Sequence, residues 1–213
     1  MNLRLIPFTY MWILDKSIGG DVKTVLDLGC GEGDLMREVS RGKQWEIYGV
    51  ELFKKAGRKA KKSGVYKDVF IGSVTDLPKS ILKNKYDIVF CSQVLEHLVK
   101  NNGKEAIKTW EKLARKKIVI TTPVGYMEYD PIVEKEIDDN PLQKHLSGWL
   151  PKELDKLGYK VRGQGARFIY GEEGLAKKLP FLYPVLGLIS LLLSPILYVY
   201  PNLATYMIAS KKV

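Results

Sequence analysis

A chain of 213 residues with 46% hydrophobic and 27% charged residues is ordinary for a globular protein and long enough to bury a sizeable core. Its two cysteines, Cys30 and Cys91, exclude a disulfide framework and lack metal-ligand spacing, so a reducing, cytoplasmic setting and no metal are expected. The net charge of +10 leaves nucleic acid, an anionic membrane surface and acidic ligands open as partners.

The opening residues 1–7 lack a long apolar core and a small-residue cleavage site, so no secretory signal is expected. Apolar and aromatic positions over residues 4–18 (Leu5, Phe8, Trp12, Ile13) predict a short helix ended by Gly19-Gly20-Asp21. The run Val25-Leu26-Asp27-Leu28 then stops at three alternating glycines, Gly29, Gly31 and Gly33, and a helix is predicted over 34–41. Such a run reads as a buried parallel strand entering a tight turn. Glycines there let the backbone take positive φ and let a ligand approach closely, while the helix start aims free N–H groups at it.

Residues 45–51 predict the second strand, 52–62 a very basic helix, 69–71 the third strand, and Asp76-Leu77-Pro78 the beginning of a loop. Residues 86–91 predict the fourth strand, 103–115 an amphipathic helix and 117–122 the fifth strand, stopped by Pro123. Strands alternating with helices predict an α/β fold with a parallel sheet. Residues 123–150 read as a long substrate-side loop punctuated by Pro131 and Pro141, and Pro151 reads as a helix start. A sixth strand opens at 159–162 and a last one covers 203–209. One domain over 1–213 is expected.

Between those strands, residues 170–202 read as an apolar helical insertion, and 179–210 carry no charge at all. Four prolines (Pro180, Pro184, Pro195, Pro201) are expected to break it into short helical pieces. By length the segment is a candidate for a membrane span, but the prolines, the lysines at both ends and the position before a last sheet strand argue against one. A buried or lid-forming insertion, peripheral membrane contact through 179–200 and an oligomer interface stay open, since large apolar patches rarely stay uncovered.

Glu51 ends the second strand, where a carboxylate can accept ribose hydroxyls. The glycines run G-x-G-x-G rather than G-x-G-x-x-G, and Glu32 and Asp34 would repel a pyrophosphate. A cofactor with a cationic head suits this turn better.

These motifs carry a resemblance. Val25-Leu26-Asp27-Leu28-Gly29-Cys30-Gly31-Glu32-Gly33 resembles the first motif of class I S-adenosylmethionine-dependent methyltransferases. Tyr48-Gly49-Val50-Glu51 resembles their second-strand motif, Gly72-Ser73-Val74-Thr75-Asp76-Leu77-Pro78 their adenine loop, and residues 86–98 the fourth-strand motif of the small-molecule branch. Ser73 departs from the Asp that relatives often carry there. The resemblance implies a Rossmann-like doubly wound sheet of order 3-2-1-4-5-7-6 with strand seven antiparallel, and the insertion between strands six and seven. It implies S-adenosylmethionine as cofactor, S-adenosylhomocysteine as product, and contacts from Asp27, Gly29, Cys30, Gly31, Gly33, Glu51, Leu52, Ser73, Val74, Ser92 and Gln93.

The expected function is methyl transfer to a small, apolar or lipid-like acceptor, in a cytoplasmic and membrane-peripheral setting. RNA or protein methylation through the basic surface, and cofactor binding without catalysis, are the alternatives; nucleic acid is not favoured. A base is needed only for a protonated nucleophile. The sole histidines, His97 and His145, are the candidates, against positioning roles. Tyr10 and Trp12 are read as covering the cofactor or as core packing.

Overall fold

The computed structural model describes residues 3–129 and 140–213. Residues 130–139, with Pro131 and the middle of the 123–150 loop, lie outside the described residues.

Seven strands form one sheet: β1 (Thr24–Leu28), β2 (Glu46–Glu51), β3 (Asp68–Ile71), β4 (Tyr86–Ser92), β5 (Ala114–Pro123), β6 (Lys160–Ala166) and β7 (Ala204–Lys212). Their order is β3-β2-β1-β4-β5-β7-β6. β1 pairs in parallel with β2 and β4, and β7 runs antiparallel to both β5 and β6. This is the Rossmann-like topology the motifs imply.

β1 is central, so both of its faces are covered and its alternate residues enter different cores. Val25 joins Ile13, Met36, Ile47 and Phe90 on one face, under helices α1 (Tyr10–Ile18), α2 (Asp34–Ser40) and α3 (Lys54–Lys62). Leu26 and Leu28 join Val89, Cys91, Ile107 and Trp110 on the other, under α4 (Lys79–Leu82), α5 (Lys100–Leu113) and α6 (Pro151–Lys156). That double burial explains why apolar residues occupy both faces of the strand, Val25 on one and Leu26 and Leu28 on the other.

Several boundaries differ from the sequence reading. A short helix, α4, follows Pro78 where only a loop is expected. The helix predicted over 103–115 begins at Lys100 and ends at Leu113, because Ala114 is extended and already pairs with Tyr86 in the sheet.

The insertion between β6 and β7 holds α7 (Arg167–Tyr170), α8 (Leu175–Lys178) and α9 (Tyr183–Val199). The four prolines do not divide α9. Pro180 and Pro201 open flanking 3-10 turns, and Pro184 lies in the first turn, where a missing N–H costs nothing. Only Pro195 sits inside the helix, and the ladder resumes with the Tyr200 N–H donating to the Ile196 carbonyl at 2.8 Å. α9 packs on β6 at Gly163, where a Cβ would stand 2.4 Å from the Leu197 carbonyl oxygen.

Candidate functional site

The turn after β1 is made by its glycines. Gly29 has φ +73, and a Cβ there would strike Val94 Cγ2 at 2.2 Å. Gly31 has φ +55 with open space around the Cβ position, so this backbone lies bare beside a cavity. The Gly31 N–H donates to Glu51 Oε2 at 2.8 Å, and the Phe53 N–H donates to Glu51 Oε1 at 2.7 Å. Glu51 is thereby locked at the carboxyl end of β2 with acceptor capacity left on each oxygen.

Below the turn, Asp27 is buried and accepts the Tyr66 hydroxyl at 2.7 Å. Burial pushes its carboxyl up to about 7 against that hydrogen bond, and the nearby Glu51 charge adds to the rise. Burial likewise raises the Cys30 thiol, so this cysteine is inert.

A cavity of about 420 Å³ opens above the turn. It is lined by Gly29, Gly31, Glu32, Glu51, Leu52, Phe53, Ala56, Ser73, Val74, Gln93, Val94, His97 and Leu98, and by Asn140, Pro141, Leu142, Gln143, Lys144 and Leu146 of the long loop. Gln93 holds φ +54, rare for a side-chain-bearing residue, at the end of β4. Its N–H donates to the Thr121 carbonyl at 2.9 Å and its side-chain amide donates to Thr121 Oγ1 at 3.1 Å.

Glu96, His97 and His145 converge beside this cavity, their potential ligand atoms within 4.8 Å of one another. Glu96 is buried, and that burial raises its carboxyl to about 7 although Thr122 Oγ1 donates to Oε2 at 2.9 Å. Burial first of all lowers the His97 pKa from 6.5. His97 Nδ1 lies 3.1 Å from the Lys144 carbonyl and His145 Nδ1 lies 2.7 Å from the Met127 carbonyl. The Lys144 carbonyl assigns the proton of the His97 ring to Nδ1 and leaves Nε2 as its acceptor nitrogen. Two imidazoles and a carboxylate so placed can accept a proton or take a divalent cation.

Residues 25–117, just under half of the chain, match the family described as "Methyltransferase domain". Over those residues the chain is similar to methyltransferase domains. It is 34% identical over 98 residues to the ubiquinone biosynthesis O-methyltransferase of Serratia proteamaculans, an alignment covering 45% of this chain and 40% of that protein. It therefore spans only about two fifths of that curated relative. Among solved structures, the small RNA methyltransferase HEN1 superposes with a TM-score of 0.58 at 17% identity, over 93% of this chain and 24% of that one. An S-adenosylmethionine-dependent methyltransferase from Archaeoglobus fulgidus superposes with a TM-score of 0.56 at 19% identity, over 91% and 87%. At these identities the structures establish a shared fold.

Within the matched stretch, seven residues expected at the cofactor line the cavity: Gly29, Gly31, Glu51, Leu52, Ser73, Val74 and Gln93. Asp27, Cys30, Gly33 and Ser92 do not line it. Gly33 caps α2 over the Tyr66 ring, and Ser92 shares a hydroxyl cluster with Tyr10 and Thr121 at 2.8–3.0 Å. The Tyr10 hydroxyl joins that cluster, and Trp12 makes tilted and edge-on contacts with Phe8 and Tyr198; neither Tyr10 nor Trp12 lines the cavity. The electrostatic contrast drawn from the sequence also weakens. Glu32 is ion-paired with Lys59 at 2.6 Å and Asp34 with Arg37, so neither acid presents a bare charge to the turn. Tyr66 carried no signal in the sequence; Glu96 lay within the fourth-strand motif without a role assigned to it, and the lining residues between 140 and 146 lay within the predicted substrate-side loop.

Proposed function

We propose that the chain transfers a methyl group from S-adenosylmethionine to a small acceptor of apolar or lipid-like character, releasing S-adenosylhomocysteine. One observation carries the reading: a single cavity is lined by the bare Gly31 backbone, the locked Glu51 carboxylate and His97. Glu51 is suited to accept ribose hydroxyls through its remaining lone pairs. Leu52 and Val74 offer apolar walls to a base, and Ser73 a hydroxyl beside them, already 2.7 Å from Thr75 Oγ1. When bound, S-adenosylmethionine supplies an electrophilic methyl, so the chain's own task is to align the acceptor and exclude water. His97 Nε2, unprotonated near neutrality, is placed to take a proton from an acceptor hydroxyl or acid, with Glu96 and His145 beside it.

A second cavity supports the apolar acceptor. It measures about 560 Å³ and is walled by Val124, Phe168, Leu193, Ile196, Leu197 and Leu203. Met127 lines it as well, and the Met127 carbonyl is the partner of His145 Nδ1, which links this cavity to the Glu96–His97–His145 group. Thr205 Oγ1 lines the same wall, buried without a hydrogen-bond partner among the described residues.

The test is transfer of a labelled methyl group to paired acceptors that differ only in an apolar tail. Preference for the tailed acceptor supports the reading, and equal turnover removes the lipid-like clause. Cofactor binding without transfer to any acceptor leaves a binding subunit. Gly31→Val should lower cofactor affinity at least about tenfold by calorimetry, since its side chain would fill the open space beside the turn. Unchanged affinity would refute the site.

RNA is the second reading. The basic helix α3 carries six lysines and arginines and no acid, although Lys59 pairs with Glu32 and Lys61 with Asp68.

A further inference from the structure

α9 is built inside out. A helix at a water-facing surface turns apolar residues inward and polar ones outward. Here Ser190 and Ser194 are buried beside Leu186 and Leu197, and Ser190 Oγ accepts the Ala166 N–H at 3.1 Å. Val185, Leu188, Leu191, Leu192, Ile196 and Val199 face outward, with Leu188 57% and Leu192 72% exposed. The stretch Pro180–Val199 has a mean hydropathy of 2.0 and is only 22% buried. Aromatic side chains stand exposed at both ends, Phe181 and Tyr183 at one and Tyr200 at the other, the residue types that settle at a membrane–water boundary.

The helix does not span. It follows β6, which ends at Ala166, and precedes β7, which begins at Ala204, and it packs against β6 at Gly163. Both ends thus return to one sheet, and the 17-residue helix is about 25 Å long.

Charge selects the medium that covers this flank. Residues 167–213 hold five basic and two acidic residues, and one acid, Glu173, is ion-paired with Lys178 at 3.0 Å. β6, on which α9 packs, adds Lys160 and Arg162. Two copies of a chain of net charge +10 repel each other, whereas an anionic lipid surface attracts each lysine by about 1 kcal/mol. We infer that α9 is an in-plane anchor for an anionic bilayer, its outer face among the acyl chains and Lys177 and Lys178 among the headgroups. The cavity walled by Leu193, Ile196 and Leu197 then sits on the membrane-facing helix itself.

The experiment is flotation of the purified full chain with vesicles of phosphatidylcholine alone and of phosphatidylcholine mixed with phosphatidylglycerol. Expected is binding to the mixed vesicles, weaker binding to phosphatidylcholine alone, and release by salt. Leu188→Glu/Leu192→Glu should lower the bound fraction about tenfold or more. Both side chains are exposed, so circular dichroism and cofactor affinity should stay unchanged; Val185→Glu is the alternative should that pair misfold. Lys177→Gln/Lys178→Gln should lose the preference for anionic lipid while keeping the weaker binding. Vesicle binding equal in wild type and the glutamate variants overturns the inference. So does absence of vesicle binding, whether sedimentation shows a monomer or a dimer that the glutamate variants dissociate. Cofactor binding measured without vesicles tests the proposed activity separately, so either reading can fail alone.

Discussion

At the scale of single residues, the site depends on groups whose protonation the fold has displaced. Burial lowers the His97 pKa from 6.5, which keeps the ring neutral and its Nε2 available. As a base, His97 should impose an acidic limb on kcat/KM, activity falling as pH drops through its pKa below 6.5. His97→Gln should remove that limb and slow transfer by roughly 10²-fold or more. A variant that keeps the limb would assign it elsewhere. Asp27 works in the opposite sense. Its carboxyl holds a proton up to about 7 in the fold but only to about 3.8 when unfolded. The resulting stabilisation is complete below the unfolded value and is lost as pH rises through about 7. Asp27→Asn should flatten this decline, worth about 1–4 kcal/mol, in melting curves recorded between pH 4 and 8. Glu96, raised from 4.5 to about 7 by burial, contributes a decline of the same sign, so some slope should survive in Asp27→Asn.

At the scale of elements, two junctions decide the geometry. The strand–turn–helix after β1 brings Gly29 against Val94, so the first and fourth strand ends are fitted to each other. Gly163 does the same for the insertion. A Cβ there would stand 2.4 Å from the Leu197 carbonyl, 2.7 Å from Ala204 Cβ and 2.8 Å from Pro201 Cα, none of which is a flexible side-chain end. Gly163→Ala should therefore cost about 2–3 kcal/mol and loosen α9 from β6 before the rest of the sheet. Amide exchange that protects α9 as in the wild type would show that the helix is held by other contacts.

At the scale of the whole molecule, two separate cavities flank the carboxyl ends of the parallel strands, one built on the glycine turn and one on α9. A net charge of +10 acts on every anionic partner at once, so its role is read from salt dependence. Turnover on a small neutral acceptor should change little between 50 and 200 mM salt, whereas a nucleic-acid acceptor making six or more phosphate contacts should lose about 10³-fold or more in affinity.

The local pattern of the chain determined the strands, their alternation with helices and the glycine turn, because those follow from periodicity and from backbone freedom within a few neighbours. Residues 25–33 and 48–51 thus pointed in advance to one wall of the cavity, through Gly29, Gly31 and Glu51. Only the tertiary structure decided the rest. Asp27 and Cys30 share the motif yet lie beneath the cavity, Asp27 buried against the Tyr66 hydroxyl and Cys30 packed into the core beside Tyr66. Glu96, His97 and His145 form a group only because the long loop folds back, with the Leu146 and Ser147 N–H groups donating to the Glu96 carbonyl at 2.8 and 3.0 Å. The four prolines announced a broken helix, but two fell in flanking turns and one in a first turn, so α9 stayed whole. Which face of α9 is covered depends on β6 and its neighbours Ile169 and Ala204, and they cover Ser190, Ser194, Leu186 and Leu197 while leaving Leu188, Leu191 and Leu192 outside.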